Sequence, residues 1–124
     1  MTWLAVLAGG ALGSLARHGV NVWFGHLMNR PVPYATAAVN LVGAGIIGVL
    51  AGAIAAGRLE LSVTLRTFIF VGMLGGFTTF SSFMLDTLTL SYSGEARLAF
   101  TNLVVQTLLG FAAVWAGYNL GVGR

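Results

Sequence analysis

An all-α membrane protein of four transmembrane helices is the fold class this sequence predicts, and three observations predict it. Hydrophobic residues fill 57% of the 124 positions and charged residues only 7%, where a soluble domain carries about a quarter charged. The apolar residues gather in four long stretches, each able to cross a hydrocarbon core roughly 30 Å thick. The polar segments between them are short, so residues 1–124 read as one transmembrane domain with no sizeable part outside the bilayer. The mean hydropathy of +0.90 agrees.

The first stretch runs from about Trp3 to Phe24 and stops before Gly25-His26 and the Arg30-Pro31-Val32-Pro33 turn. No basic residue precedes it, so it reads as a retained helix rather than a cleaved leader. The second covers about Tyr34 to Ala56, and the loop Gly57-Arg58-Leu59-Glu60 follows. The third, about Val63 to Leu90, is too long for one simple span and invites a tilt or a break near its middle. After Ser91-Tyr92-Ser93-Gly94-Glu95 the fourth runs from about Arg97 to Leu120.

Glycine occurs 18 times, largely inside the stretches. Gly9-x-x-x-Gly13, Gly48-x-x-x-Gly52 and Gly72-x-x-x-Gly76 each set two small residues on one helix face, which lets backbones approach closely where lipid supplies no hydrophobic drive. Four thin helices can hardly enclose a pore alone, so a homodimer is expected. Loop two and the C-terminus hold Arg58, Arg66 and Arg124, and the other side holds Arg30 and Arg97. That near-balance gives almost no orientation bias. Pairing with an inverted copy and a single orientation with few arginines both remain open.

The segment Gly75-Gly76-Phe77-Thr78-Thr79-Phe80-Ser81-Ser82-Phe83 carries the most information. Paired glycines and β-branched threonines disfavour helix. A break would free carbonyls and amides at membrane depth, tolerable only where protein or ions satisfy them. Carbonyls from two copies could then cage a small hard cation such as Na⁺. The other reading is a continuous helix whose Ser and Thr bond back to their own carbonyls. Phe80 and Phe83, three apart, share a face. That spacing suits a core stripe, or ring edges that attract an anion without a full charge. Thr79, Ser81 and Ser82 are candidate donors beside them.

Asn40 lies within the second stretch, where its amide serves either an interhelical hydrogen bond or a pore wall. Asn102 and Gln106, one turn apart on the fourth, pose the same choice. Arg17 either snorkels from the first helix or holds a positive potential at a watery vestibule. Asp86 reads as interfacial or vestibular. His18 and His26 stand eight apart with no carboxylate or thiolate beside them, so they form no ligand set. Cysteine is absent, which excludes disulfides and thiol chemistry. No basic cluster could neutralise a row of phosphates, so nucleic acid is not an expected partner. No nucleophile–base pair or phosphate loop is visible, and an enzyme is not expected.

The nonapeptide Gly75–Phe83 resembles the GG-(L/F)-(S/T)-TFS-(S/T)-F signature of the Fluc (CrcB) fluoride channels. Gly9-Gly10-Ala11-Leu12-Gly13-Ser14-Leu15-Ala16-Arg17 is similar to that family's GGxxGxxxR opening, and Val39-Asn40-Leu41-Val42-Gly43 to its VNLxG element. Asp86 stands where an acidic residue usually follows. The resemblance implies a passive fluoride channel of the bacterial cytoplasmic (inner) membrane that relieves fluoride toxicity. It implies an antiparallel, dual-topology homodimer in membrane lipid, with two pores. Phe80, Phe83 and Asn40 would line those pores, with Ser81, Ser82, Thr79 and Gln106 as further donors and Arg17 and Asp86 at the vestibule. Backbone oxygens of Gly75 and Thr78 from both copies would hold a central structural Na⁺.

The chain departs from that pattern at Gly110 and Val114, where many members carry Ser or Thr, and at Met84, commonly a small polar residue. Two other function classes remain beside the channel. A proton-coupled small multidrug exporter would need an embedded carboxylate, and the first stretch carries Arg17 instead. A structural subunit would merely pack through its glycine faces.

Overall fold

The computed structural model describes all residues, Met1–Arg124, and every regular element is helical. Helix α1 spans Thr2–Leu27 and α2 spans Tyr34–Ala55. A bent third rod follows. Ser62 caps α3 (Val63–Arg66) by accepting from the Leu65 amide at 3.2 Å. The rod continues as a π-helical stretch, Thr67–Leu74, and ends its first half in α4, Gly75–Phe77. Helix α5 (Phe80–Tyr92) forms the second half, and α6 spans Ala96–Val122.

Three of these rods are long and apolar enough to cross a membrane: Tyr34–Ala55, Val63–Tyr92 and Ala96–Val122. Helix α1 has the length, 26 residues or about 39 Å, but Arg17, His18 and Asn21 dilute its apolar content. The structure therefore supports a multi-pass membrane protein with three clear spans and a bent helix.

Two long-range contacts fix which connections share an end. Arg30 grips Glu95 through two hydrogen bonds of 2.9 and 2.8 Å, joining the first and third loops. Arg58 donates to the Gly121 carbonyl at 3.4 Å, joining the second loop to the C-terminal end of α6.

The rods pack as two pairs, α1 against the 63–77 half-rod and α2 against α6, with α5 crossing onto α6. Glycine makes both pairings possible. A Cβ on Gly9 or Gly13 would run into the backbone at Phe68 or Met73, and one on Gly72 would sit 2.8 Å from the Gly9 Cα. In the second pair, Gly48 and Gly52 face the backbone at Val114 and Tyr118, while Gly117 and Gly121 return the contact at Gly45 and Val49. The last two make a small-xxx-small face that the sequence reading passed over. Only 20 of 124 residues are buried, so most apolar side chains must meet lipid or another protein surface.

The third rod breaks, and it does so at the threonines rather than at the paired glycines. Gly75 and Gly76 are helical, and Gly76 serves close approach: a Cβ there would lie 2.8 Å from the Gly10 carbonyl. Thr78 (φ −84, ψ 160) and Thr79 (φ −154, ψ 123) are extended. The back-bonding expected of a continuous helix also occurs, from Thr78 Oγ1 to the Leu74 carbonyl at 2.9 Å, yet it closes the half-rod instead of propagating it.

Candidate functional site

Two consecutive extended residues in a membrane-spanning rod leave backbone groups without helical partners, and each such group costs several kcal/mol in lipid unless satisfied. Asn40 meets that demand at Thr79. Its Oδ1 accepts from the Thr79 amide at 2.8 Å, and its Nδ2 donates to the Thr79 carbonyl at 3.0 Å. Gly43, one turn further along α2, clears the space: a Cβ there would collide with Thr78 Cγ2. The Thr79 hydroxyl caps α5, accepting from the Ser82 amide at 3.2 Å and lying 3.2 and 3.3 Å from the Ser82 and Ser81 hydroxyls.

A polar relay continues from Asn40 into the fourth rod. The second Nδ2 proton of Asn40 goes to Gln106 Oε1 at 2.8 Å, and Gln106 Nε2 donates to Asn102 Oδ1 at 2.7 Å. Asn102 Nδ2 donates to Thr87 Oγ1 at 2.9 Å, and Thr87 donates to the Phe83 carbonyl at 2.8 Å. Asn102, Gln106 and Thr79 are all buried. Asn102 and Gln106 are thus interhelical links, and the relay ties the break to the backbone of Phe83. Thr87 carried no signal in sequence, because only the crossing of α5 over α6 brings it to Asn102.

On the other side of the break lies a recess of about 300 Å³ with no apolar lining residue. Ser14, Arg17, His18 and Asn21 enter it from α1, Thr36 from α2, and Thr79 and Ser82 from the break. Arg17 reaches the Thr78 carbonyl at 3.4 Å. A second recess shares Asn21, Thr36 and Ser82 and extends the space to Asp86. Arg17 and Asp86 therefore line adjoining recesses that meet at Asn21, Thr36 and Ser82. Ser14, Asn21 and Thr36 were missed, although Ser14, Arg17, His18 and Asn21 recur at the spacing of one helix face, a polar stripe that was legible.

Phe80 and Phe83 lie edge to face, centroids 6.0 Å apart and planes at 81°. Phe83 is buried at 7% exposure, whereas Phe80 is 72% exposed on the surface of the chain. A single chain encloses no passage between them. Ser81 is likewise exposed. An outward groove of about 320 Å³ separates the two helix pairs, with Asn40 and Gly43 on one wall, Gly75 and Thr78 on another and Val114 from α6 on a third. Gly110 faces open space.

Among the carbonyls that lose their helical donors at the break are those of Gly75 and Thr78. The Thr79 N–H that would close onto Gly75 is directed to Asn40, and the Ser82 N–H that would close onto Thr78 is directed to the Thr79 hydroxyl. The Gly75 carbonyl thus presents an oxygen of the kind hard cations bind, while the Thr78 carbonyl accepts from Arg17 at 3.4 Å in the single chain.

Comparison with known proteins adds an independent line. Residues 4–118 match the family described as CrcB-like protein, Camphor Resistance (CrcB). A protein of Parabacteroides distasonis named fluoride-specific ion channel FluC is 40% identical over 116 residues, covering 94% of this chain and 89% of its own. Like-named proteins of Azotobacter vinelandii and Rhizobium leguminosarum bv. trifolii are 46% and 47% identical, covering 94% and 92% of this chain and 94% and 90% of their own.

Proposed function

This chain belongs to the CrcB family, and from that membership we propose that it is a passive fluoride channel, not an enzyme, of the bacterial inner membrane. The observation that carries the reading is the broken third rod. It opens an all-polar recess at Thr79 and Ser82 and leaves Phe80, next to Thr79 in the chain, exposed. An ion as strongly hydrated as fluoride enters a membrane only where donors replace its water, yet bind it weakly enough for release. Ser81, Ser82 and Thr79 supply hydroxyls, and the first turn of α5 points its free amides and the positive end of its dipole at the same place. The edges of Phe80 and Phe83 carry partial positive charge and can attract an anion without a full charge of their own.

In this reading α1 is a fourth span, its polar stripe turned to the recess and its Trp3, Leu7 and Leu15 to lipid. A second, inverted copy fills the groove between the helix pairs and covers Phe80, so that two pores form, each with walls from both copies. Gly75 and Thr78 lie at that groove. Their carbonyls, with those of the second copy, would hold a Na⁺, which would supply the positive charge that keeps four oxygens together. Replacing Na⁺ by choline on both sides should lower fluoride flux; flux indifferent to Na⁺ would remove the cation from the scheme.

The test of the function is efflux. Purified protein in fluoride-loaded liposomes, read by a fluoride electrode, should pass F⁻ and largely exclude Cl⁻. Equal passage of both, or of neither, would overturn the reading.

A further inference from the structure

The hydrogen-bond relay that leaves the break runs in one direction. The Thr79 N–H donates to Asn40 Oδ1, Asn40 Nδ2 to Gln106 Oε1, and Gln106 Nε2 to Asn102 Oδ1. Asn102 Nδ2 then donates to Thr87 Oγ1, and Thr87 Oγ1 to the Phe83 carbonyl. The relay begins at a backbone N–H, which only donates, and ends at a backbone carbonyl, which only accepts. Its last two side chains, Asn102 and Thr87, line neither recess beside the break. We propose that Thr87 and Asn102 are positioning residues for conduction. They hold the amides of Gln106 and Asn40 in the one orientation that keeps Thr79, and the donors beside it, in place. The inference rests on the channel reading above.

The argument is one of donors and acceptors. Turning over the Gln106 amide would set its NH2 against that of Asn40 and its oxygen against that of Asn102. Asn40 is held likewise, since both its Nδ2 protons are committed, one to Thr79 and one to Gln106. The Thr87 hydroxyl is the one member able to act either way toward Asn102. Because its proton goes to the Phe83 carbonyl, it is left to accept, and Asn102 must present its NH2. Thr87 therefore fixes the sense of every amide before it. Asn102 and Gln106 are buried, where an amide that loses its partner pays a desolvation cost. Without the hydroxyl, Asn102 is free to rotate, and the mismatch passes through Gln106 to Asn40. At the far end stands Thr79, whose hydroxyl caps α5 and lies 3.2 and 3.3 Å from the hydroxyls of Ser82 and Ser81.

The experiment measures unitary fluoride currents in planar bilayers. A chain that merely folds less well gives fewer channels of native unitary current, whereas displaced donors lower the current through each channel. Thr87→Val keeps the volume of the side chain and loses the hydroxyl, Thr87→Ala loses it without adding bulk, and Thr87→Ser retains it. Asn102→Leu cuts the next link. The Val, Ala and Leu variants should each lower the unitary current by about threefold or more, as coupling within one network allows. Thr87→Ser should stay near the native value. Native unitary current in Thr87→Val, Thr87→Ala or Asn102→Leu, or a Thr87→Ser current as low as that of Thr87→Val, overturns the proposal alone. A native chain that passes no fluoride current overturns the channel reading and this inference with it.

Discussion

The side-chain amide of Asn40 pairs with both backbone polar groups of Thr79, accepting from its N–H at 2.8 Å and donating to its carbonyl at 3.0 Å. One side chain on α2 thereby replaces the ladder that the third rod gives up, and the extended pair Thr78–Thr79 exists because that replacement is available. Gln106 takes the remaining amide proton, so the amide has no freedom to turn away.

Replacing Asn40 by Leu should therefore damage the fold as well as the pathway. Each backbone group left unpaired costs about 1–3 kcal/mol. Thermal unfolding in detergent should occur at lower temperature, and fluoride efflux should fall at least about tenfold, a loss of roughly 1.4 kcal/mol. An Asn40→Leu variant of native stability and native flux would show that the pairing is dispensable.

The two phenylalanines separate folding from conduction. Phe80 is exposed, so Phe80→Ile removes its ring edge with little effect on the stability of the chain. Phe83 is buried, so Phe83→Ile adds a packing loss of about 1–3 kcal/mol. Both should reduce flux by roughly tenfold or more, and only the second should also lower the unfolding temperature. Undiminished flux in Phe80→Ile would end the ring-edge account.

Glycine substitutions divide by what lies opposite. Gly48→Val drives a branched side chain into the α6 backbone at Val114, and overpacking of that kind costs about 1–3 kcal/mol or more. Size-exclusion chromatography of this variant should show aggregated or unrecoverable protein. Gly19 faces open space, so Gly19→Ala should be neutral or should gain up to about 1 kcal/mol of helix preference. Equal behaviour of the two would contradict the close α2–α6 contact.

Orientation can be read directly, since the chain has no cysteine. A single Arg124→Cys should react with a membrane-impermeant maleimide in intact spheroplasts to about half of its final extent after lysis, if both insertions occur with the arginine balance of this chain. Labelling close to none or to all would establish one orientation and exclude the inverted pair.

How much was legible follows from where each constraint acts. The arginines were assigned to two ends from loop order alone, and the Arg30–Glu95 and Arg58–Gly121 contacts agree with that assignment. The glycine faces were readable because close approach needs small residues at fixed spacing. Helix preference, a local property, marked Gly75–Gly76 and Thr78–Thr79 alike as weak points; which of the two opens is decided by Asn40, thirty-nine residues before Thr79, which can take over the backbone there. The π-helical stretch Thr67–Leu74 was equally invisible, since its composition differs little from that of an ordinary apolar helix.

The sequence by itself determined that this protein is helical and lives in a membrane, because lipid acts on every segment alone and demands that each be apolar and self-bonded. Only the tertiary structure decided where the third rod opens, and which polar side chains serve packing and which line a polar recess. A polar group in a bilayer is tolerated according to its partner, and partners such as Asn40 and Thr79, or Thr87 and Asn102, come from different rods. The recess that gathers Arg17, Thr36 and Ser82 exists only once α1, α2 and α5 have been assembled around it.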